Sequence, residues 1–162
     1  MDGTLKLTKK PDWDCIEEVR MECEEFFNSH HCSENISHSL VMIVSELMEN
    51  SIKYGDFSAG SSMIEIAVKL KTSSAIIELV NPTGSSNKKE LQNLDRTIQW
   101  IRGYQDPFEA FLERLRNVSK MPLDDSESGL GLVRIAYEGK AVLDFYVDEN
   151  NLLNVSAIVD FV

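Results

Sequence analysis

The stretch Ile43-Val-Ser-Glu46-Leu-Met-Glu49-Asn50-Ser-Ile-Lys53-Tyr54-Gly55 decides the fold, because it has the pattern of one amphipathic helix. Apolar residues recur at spacings of three and four positions, which predicts a helix buried along one side. Glu46 and Asn50 are four residues apart and stack one turn above the other, with Lys53 on the same side. This polar ridge is either a solvated face or one wall of a binding site.

A second motif, Ser126-Glu-Ser128-Gly129-Leu130-Gly131-Leu132, follows about 75 residues later and opens a predicted amphipathic helix over 129–138. Glycines let backbone N–H groups approach an anion closely, and a helix N-terminus adds partial positive charge. A Gly-x-Gly sequence is also common in structural turns, so the motif alone does not establish a phosphate site.

The two motifs together predict phosphate chemistry if the fold brings them to one pocket. The side-chain oxygen of Asn50 suits a hard cation such as Mg²⁺, which binds few protein groups besides phosphate oxygens. Glu46 is placed to orient or deprotonate a nucleophile near a terminal phosphate. Lys53 is placed to neutralise phosphate charge.

The composition of the chain limits the classes of protein to which it can belong. The 162 residues are 43% hydrophobic and 27% charged, which predicts a single domain with a proper core. The net charge is −11 and no basic run occurs, which argues against nucleic acid and anionic membranes as partners. No run is apolar enough to span a bilayer and no signal-peptide core is present, so we predict a cytoplasmic protein.

The cysteines fit a reducing compartment. Cys15, Cys23 and Cys32 are odd in number and confined to the first third of the chain, which does not predict a disulfide framework. His30, His31 and Cys32 are adjacent, with His38 nearby, but no metal-ligand spacing recurs. We therefore favour a helix end and loop over a metal site.

Periodicity along the chain predicts an α+β protein. Helices are predicted from Asp12 to Ser29, from a cap at Ser33 to Gly55, twice within 88–121 and over 129–138. Strands are predicted at 4–8, 63–70, 75–80, 141–147 and 152–161. The expected architecture is a two-layer α/β sandwich over residues 1–162. Its sheet is mixed but mainly antiparallel, its helices lie on one face, and residues 88–121 form a helical lid insert.

The motifs resemble those of a known superfamily. Glu46-x-x-x-Asn50 on a helix, a later hairpin, and Gly129-Leu-Gly131-Leu opening another helix resemble the GHKL (Bergerat-fold) ATP-binding proteins. That superfamily includes histidine kinases, type II topoisomerases, Hsp90 and MutL. The stretch 44–54, the Asn81-Pro turn, the long insert and the glycine motif look most like the anti-sigma-factor serine kinase branch, and within it the SiaB-type protein kinases. The resemblance covers about residues 33 to 162.

The resemblance implies a Mg-ATP-dependent serine/threonine protein kinase of a partner-switching pathway. Its implied substrate is a STAS-domain anti-anti-sigma factor-like protein, with a sigma factor as a further partner and homodimerisation common in the branch. Glu46 is the implied catalytic base and Asn50 the implied Mg²⁺ ligand. The implied cofactor-binding residues are Asn50, Lys53, Asn81, Gly84, Ser128, Gly129, Leu130, Gly131, Leu132 and Ser156. Among these, the hydroxyl of Ser156 is expected to help hold adenine.

Two departures from the superfamily pattern favour an alternative. Asn81-Pro-Thr-Gly84-Ser stands where the superfamily places Asp-x-Gly-x-Gly, so Asn81 retains an acceptor for the adenine amino group but no charge, and one glycine is missing. Two full helices replace a short flexible lid, and they either close over ATP or plug the site. The alternative is a catalytically inactive GHKL-fold module that sequesters a sigma factor or an anti-anti-sigma factor. A third possibility is that the motifs are coincidental.

The insert also carries several aromatic residues. Trp100, Tyr104, Phe108 and Phe111 lie within or between its two predicted helices. They form either part of the core or a partner-facing patch, and core is the expectation because large exposed apolar patches are uncommon on soluble proteins.

Overall fold

A computed structural model of the chain describes residues 2–58, 60, 62–84, 87–120 and 130–161. These residues form helices and strands in the order predicted from the sequence. The strands are β1 (Gly3–Lys9), β2 (Ile64–Leu70), β3 (Ser74–Pro82), β4 (Ala141–Val147) and β5 (Leu152–Asp160). The helices are α1 (Cys15–Ser29), α2 (Glu34–Tyr54), α3 (Lys88–Arg102), α4 (Pro107–Val118) and α5 (Leu130–Tyr137).

The strands form one sheet in the order β1-β2-β3-β5-β4. Each neighbouring pair is antiparallel, from Leu5 opposite Val68 in β1 and β2 to Val142 opposite Ile158 in β4 and β5. The α+β two-layer prediction is confirmed. The expectation of a mixed sheet is wrong for the described strands. Short turns join β2 to β3 and β4 to β5, and such turns produce antiparallel pairs.

One face of the sheet forms the core. Successive side chains on a strand point to opposite faces, and the inward residues of the four strands after β1 are buried, except Phe145 and Val147 towards the end of β4. Helices α1, α2 and α5 cover this face, because α2 packs against α1, α5 and β3. The opposite face keeps exposed residues, including Val142 and Tyr146.

Helix α2 begins and ends where the sequence predicts. The Ser33 hydroxyl accepts a hydrogen bond from the Ile36 N–H at 3.4 Å, and the Gly55 N–H donates to the Ser51 carbonyl at 3.0 Å. Gly55 is extended, with φ of −72°, and is therefore not a left-handed C-cap. A Cβ there would lie 2.7 Å from the Ser51 carbonyl oxygen, so close packing requires this glycine.

The insert forms two helices separated at Gly103–Pro107, as predicted. The Asp106 carboxylate accepts a hydrogen bond from the Phe108 N–H at 3.0 Å, and Pro107 occupies the first turn of α4. Residues 121–129, which include Ser128 and Gly129, lie outside the described residues. The predicted helix over 129–138 corresponds to α5.

All three cysteines are free thiols, with Cys15 and Cys23 buried. Burial raises the pKa of the Cys23 thiol to about 12, which makes it unreactive at neutral pH. No cluster of three or more His, Cys, Asp or Glu side chains suited to a metal ion occurs among the described residues. In the same part of the chain, no helix has the length and hydropathy needed to cross a bilayer.

Phe27 on α1 is fully buried, whereas Phe108 on α4 is 40% exposed. We expect Phe27→Ala to lower the free energy of unfolding by about 3–5 kcal/mol, because it removes a large apolar side chain and leaves a cavity. Phe108→Ala is the matched control and should cost clearly less. Urea titrations followed by circular dichroism measure both, and equal losses would contradict the assigned core.

Candidate functional site

A cavity of about 720 Å³ opens between α2, α5, the insert and the adjoining ends of β3 and β5. This volume lies within the range of small-molecule sites. Polar side chains of α2 form one wall, the start of α5 forms another, and α3 and α4 form a third. Leu153 and Val155 of β5 contribute apolar surface.

The cavity brings the two sequence motifs together. Seven predicted site residues line it, although they lie on three different elements: Glu46, Asn50, Lys53, Asn81, Leu130, Gly131 and Leu132. The ridge of α2 and the first turn of α5 therefore border the same cavity. Two other predicted residues, Ser128 and Gly129, lie outside the described residues.

Ser156 and Gly84 lie outside the cavity lining. Ser156 is opposite Glu78 and Asp144 in the sheet and alternates with the inward Val155, so its hydroxyl is on the outer face. This placement contradicts the expected contact between Ser156 and adenine. Gly84 faces Asp56 instead, and a Cβ there would lie 2.6 Å from an Asp56 carboxylate oxygen.

The Glu46 carboxylate is held by Arg134, a residue that the sequence motifs did not identify. Nη1 of Arg134, on α5, donates to Oε1 of Glu46 at 2.7 Å. The Glu46 side chain is only 15% exposed. Arg134 also forms an ion pair with Glu138, which lies just beyond the end of α5, at 3.2 Å. The ion pair between Glu46 and Arg134 thus joins α2 to α5.

Glu46 is more basic than an ordinary carboxylate. Burial and the neighbouring Glu49 carboxylate raise the pKa of the Glu46 carboxyl, while Arg134 and Lys53 act in the opposite direction. A carboxylate whose pKa is shifted towards neutrality is a better proton acceptor at physiological pH. The environment of Glu46 therefore suits a general base.

Gly131 has a packing role that the sequence did not predict. We expected this glycine to allow close approach of an anion to the backbone. A Cβ at position 131 would instead collide with Oε2 of Glu46. The absent side chain is thus required for Glu46 to reach its position beside α5.

Asn81 lies at the floor of the cavity and is 1% exposed. Its Oδ1 accepts a hydrogen bond from the hydroxyl of Ser51 at 3.1 Å, and its Nδ2 donates to the Pro82 carbonyl at 3.0 Å. An amide oxygen has two acceptor sites, so the Ser51 hydroxyl occupies one and leaves the other. Ser51 lines the cavity too, and the sequence analysis did not include it.

The insert forms a wall of the cavity and does not plug it. Its contribution is mostly polar and comes from both helices: Glu90, Leu91, Asn93, Leu94, Arg96, Thr97, Trp100, Arg114 and Asn117. The Arg114 guanidinium lies 5.5 Å from the centre of the Trp100 ring, and burial lowers its pKa. Nε of Arg114 and Oε2 of Glu90 are buried without a hydrogen-bond partner among the described residues.

The insert's aromatic residues have two different roles. Trp100 lines the cavity and packs edge-on against Tyr104, with ring centres 5.0 Å apart. Phe108 and Phe111 each pack against Tyr137 of α5 at 5.1 Å. The prediction that these aromatic residues belong to the core is only partly correct. The contacts of Phe108 and Phe111 fix the insert to α5, and Trp100 lies on the cavity wall.

The cavity is locally less acidic than the chain as a whole. Among the described residues, four cationic side chains line it, Lys53, Arg96, Arg114 and Arg134, against three carboxylates, Glu46, Glu49 and Glu90. The chain as a whole carries a net charge of −11. This local excess of positive charge favours an anionic ligand.

The lining residues also fit a Mg²⁺–nucleotide. The side-chain oxygen of Asn50 is a neutral oxygen donor, a type that Mg²⁺ accepts alongside phosphate oxygens. The Asn50 side chain forms no hydrogen bond with another described residue. Its side-chain oxygen is therefore not engaged by these residues.

Comparison with protein-family models and with curated proteins gives no match. Among solved structures, the fold is similar to a chain in the crystal structure of the SiaB–SiaC complex from Pseudomonas aeruginosa. The TM-score is 0.71 and the sequence identity 17%, over 96% of this chain and 88% of that chain. This likeness establishes the fold. It does not by itself assign an activity.

Some of the site residues that the motifs did not identify are nevertheless marked by their spacing in the sequence. Arg134 follows Gly131 by three positions, which places both on one helical face once Gly131 is assigned to the site. Glu90, Asn93, Thr97 and Trp100 recur at three- and four-residue spacing, which marks a continuous face of α3. Ser51 carried no such signal, because its partner Asn81 lies 30 residues away on a strand.

The packing of Gly131 against Glu46 predicts non-additive stability changes. Gly131→Ala should destabilise the wild-type protein, because the new methyl group displaces the Glu46 carboxylate. In a Glu46→Ala background the same change should be neutral or stabilise by up to about 1 kcal/mol, since Ala has the higher helix propensity. Urea titrations of the four proteins measure this cycle. The same effect in both backgrounds would show that Glu46 does not occupy the space beside Gly131.

Proposed function

We propose that this chain is a Mg-ATP-dependent serine/threonine protein kinase of a partner-switching pathway. The observation that carries the proposal is the shared cavity: Glu46, Asn50 and Lys53 of α2 face the first turn of α5. The excess of cations among the lining residues supports an anionic ligand. The resemblance of both motifs to GHKL proteins supports ATP as that ligand.

The proposed substrate is a STAS-domain anti-anti-sigma factor-like protein in the cytoplasm. The similar solved structure is of a complex between two proteins, SiaB and SiaC, which supports a protein partner here. The STAS class comes from the resemblance to the anti-sigma-factor kinase branch. The acidic surface of the chain is consistent with a protein rather than nucleic acid as the partner.

Glu46 is the proposed general base. It accepts the proton of a serine or threonine hydroxyl on the partner while that oxygen forms a bond to the terminal phosphorus of ATP. The bond from this phosphorus to the bridging oxygen breaks, and ADP leaves with the bonding electrons. The raised pKa of Glu46 suits this proton transfer.

Asn50 is the proposed Mg²⁺ ligand, and Lys53 and the start of α5 bind the phosphates. Mg²⁺ supplies charge stabilisation at the phosphate oxygens when it is bound. Leu130 and Gly131 lie in the first turn of α5, where backbone N–H groups favour anions. The buried Asn81 offers its remaining acceptor site to the adenine amino group.

A binding module without catalysis is the second candidate. The hydrogen bond from Ser51 to Asn81 favours it, because this bond occupies part of the acceptor capacity available for adenine. Such a module would bind a sigma factor or an anti-anti-sigma factor through its surface alone. Its affinity for the partner should then be the same with and without ATP.

Nucleotide binding can be followed with Trp100, which lines the cavity. The chain has two tryptophans, so Trp13→Phe leaves Trp100 as the only indole. We expect saturable fluorescence changes with Mg-ATP in this background, and loss of the Mg²⁺-dependent part on adding EDTA or in Asn50→Ala. Asn28→Ala is the control, since Asn28 is exposed on α1. An unchanged titration in Asn50→Ala would remove Asn50 as the ligand.

Phosphoryl transfer tests the proposed activity directly. The purified chain, incubated with labelled ATP, Mg²⁺ and its STAS-domain partner, should label the partner on serine or threonine. Glu46→Gln should reduce the rate by about a hundredfold or more, since it removes the general base. Nucleotide binding without any transfer by the wild-type chain would overturn the kinase proposal and favour the binding module.

A further inference from the structure

Arg134 lines the cavity and forms hydrogen bonds with two carboxylates. Its Nη1 donates to Oε1 of Glu46 at 2.7 Å, across the space between α5 and α2. Its Nε and Nη2 donate to Oε2 of Glu138, just beyond the end of α5, at 3.3 and 3.2 Å. The guanidinium is therefore fixed at one end by Glu138 and presents its other end to Glu46.

The Glu46 carboxylate lies against α5. Arg134 donates to its Oε1, and a Cβ on residue 131 would collide with its Oε2. One oxygen is thus fixed by a hydrogen bond, while the position of the other requires that residue 131 has no side chain. The orientation of the carboxylate therefore depends on α5 as well as on α2, the helix that carries it.

We propose that Arg134 is a positioning residue that holds the Glu46 carboxylate in place as the base. This proposal rests on the proposed kinase function. An arginine side chain stays protonated at physiological pH, so Arg134 acts through Glu46 and not as an acid or base itself. A direct bond from Arg134 to phosphate is the competing role. It is disfavoured because the guanidinium already contacts two carboxylates.

The charges around Glu46 define the effect of removing Arg134. Glu49 and Lys53 face it from α2 and Arg134 faces it from α5, while Glu90, Arg96 and Arg114 of the insert line the same cavity. Arg134 favours the ionised form of Glu46. Its loss therefore raises the pKa of Glu46 further, and the base becomes protonated at a higher pH than in the wild type.

Three variants separate positioning from other roles. Arg134→Gln removes the charge, Arg134→Lys retains it, and Arg116→Gln is the control because Arg116 pairs with Glu113 on α4 and does not line the cavity. We expect Arg134→Gln to lower kcat by about tenfold or more with KM for ATP within about threefold, and to move the acidic limb of the pH–rate profile upward. Arg134→Lys should recover most of kcat, and Arg116→Gln should resemble the wild type.

Other results would overturn the proposal. A rise in KM for ATP at unchanged kcat would assign Arg134 to phosphate binding. A lower Tm with unchanged kcat and pH profile would make its role structural. If the wild-type chain transfers no phosphoryl group, the kinase proposal fails on its own. In that case, ¹³C NMR titration of the Glu46 carboxyl group tests whether Arg134 holds this carboxylate. An equal titration midpoint in the wild type and in Arg134→Gln would show that it does not.

Discussion

The close approach of α5 to α2 is the constraint on which the cavity depends. Two glycines allow it. A side chain at Gly131 would meet Glu46, and a Cβ at Gly139, just beyond α5, would lie 2.8 Å from the Ile43 side chain. With the helices this close, the ion pair between Glu46 and Arg134 can form and the polar ridge of α2 stays beside the start of α5. A wider separation would leave two unrelated polar surfaces.

Local sequence patterns determined most of the fold. The alternation of apolar and polar residues in 63–70 and 75–80 corresponds to β2 and β3. The spacing of apolar residues located the ends of α2 to within two residues. These predictions succeed because period and burial are coupled within a single element. The expectation of a mixed sheet failed because strand order and direction depend on contacts between distant segments, which a pattern in one segment does not record.

Part of the site could also be predicted, because some of its residues lie on a single element. Glu46, Asn50 and Lys53 share a helix, so their common face follows from spacing alone. Ser156 was assigned to the ligand from the resemblance, although its neighbours Val155 and Ala157 are apolar and buried and therefore claim the inner face of β5. Arg134 and Ser51 were missed because their roles arise from partners 88 and 30 residues away. Such partners become visible only when the tertiary structure is known.

The aromatic contacts between the insert and α5 have a mechanical consequence. Tyr137 packs against Phe108 and Phe111, and its helix also carries Gly131 and Arg134. Outward displacement of α4 must therefore either separate these rings or pull α5 along with it. In the second case the support of the Glu46 carboxylate shifts together with α4, so the shape of the cavity wall and the orientation of this carboxylate are mechanically linked.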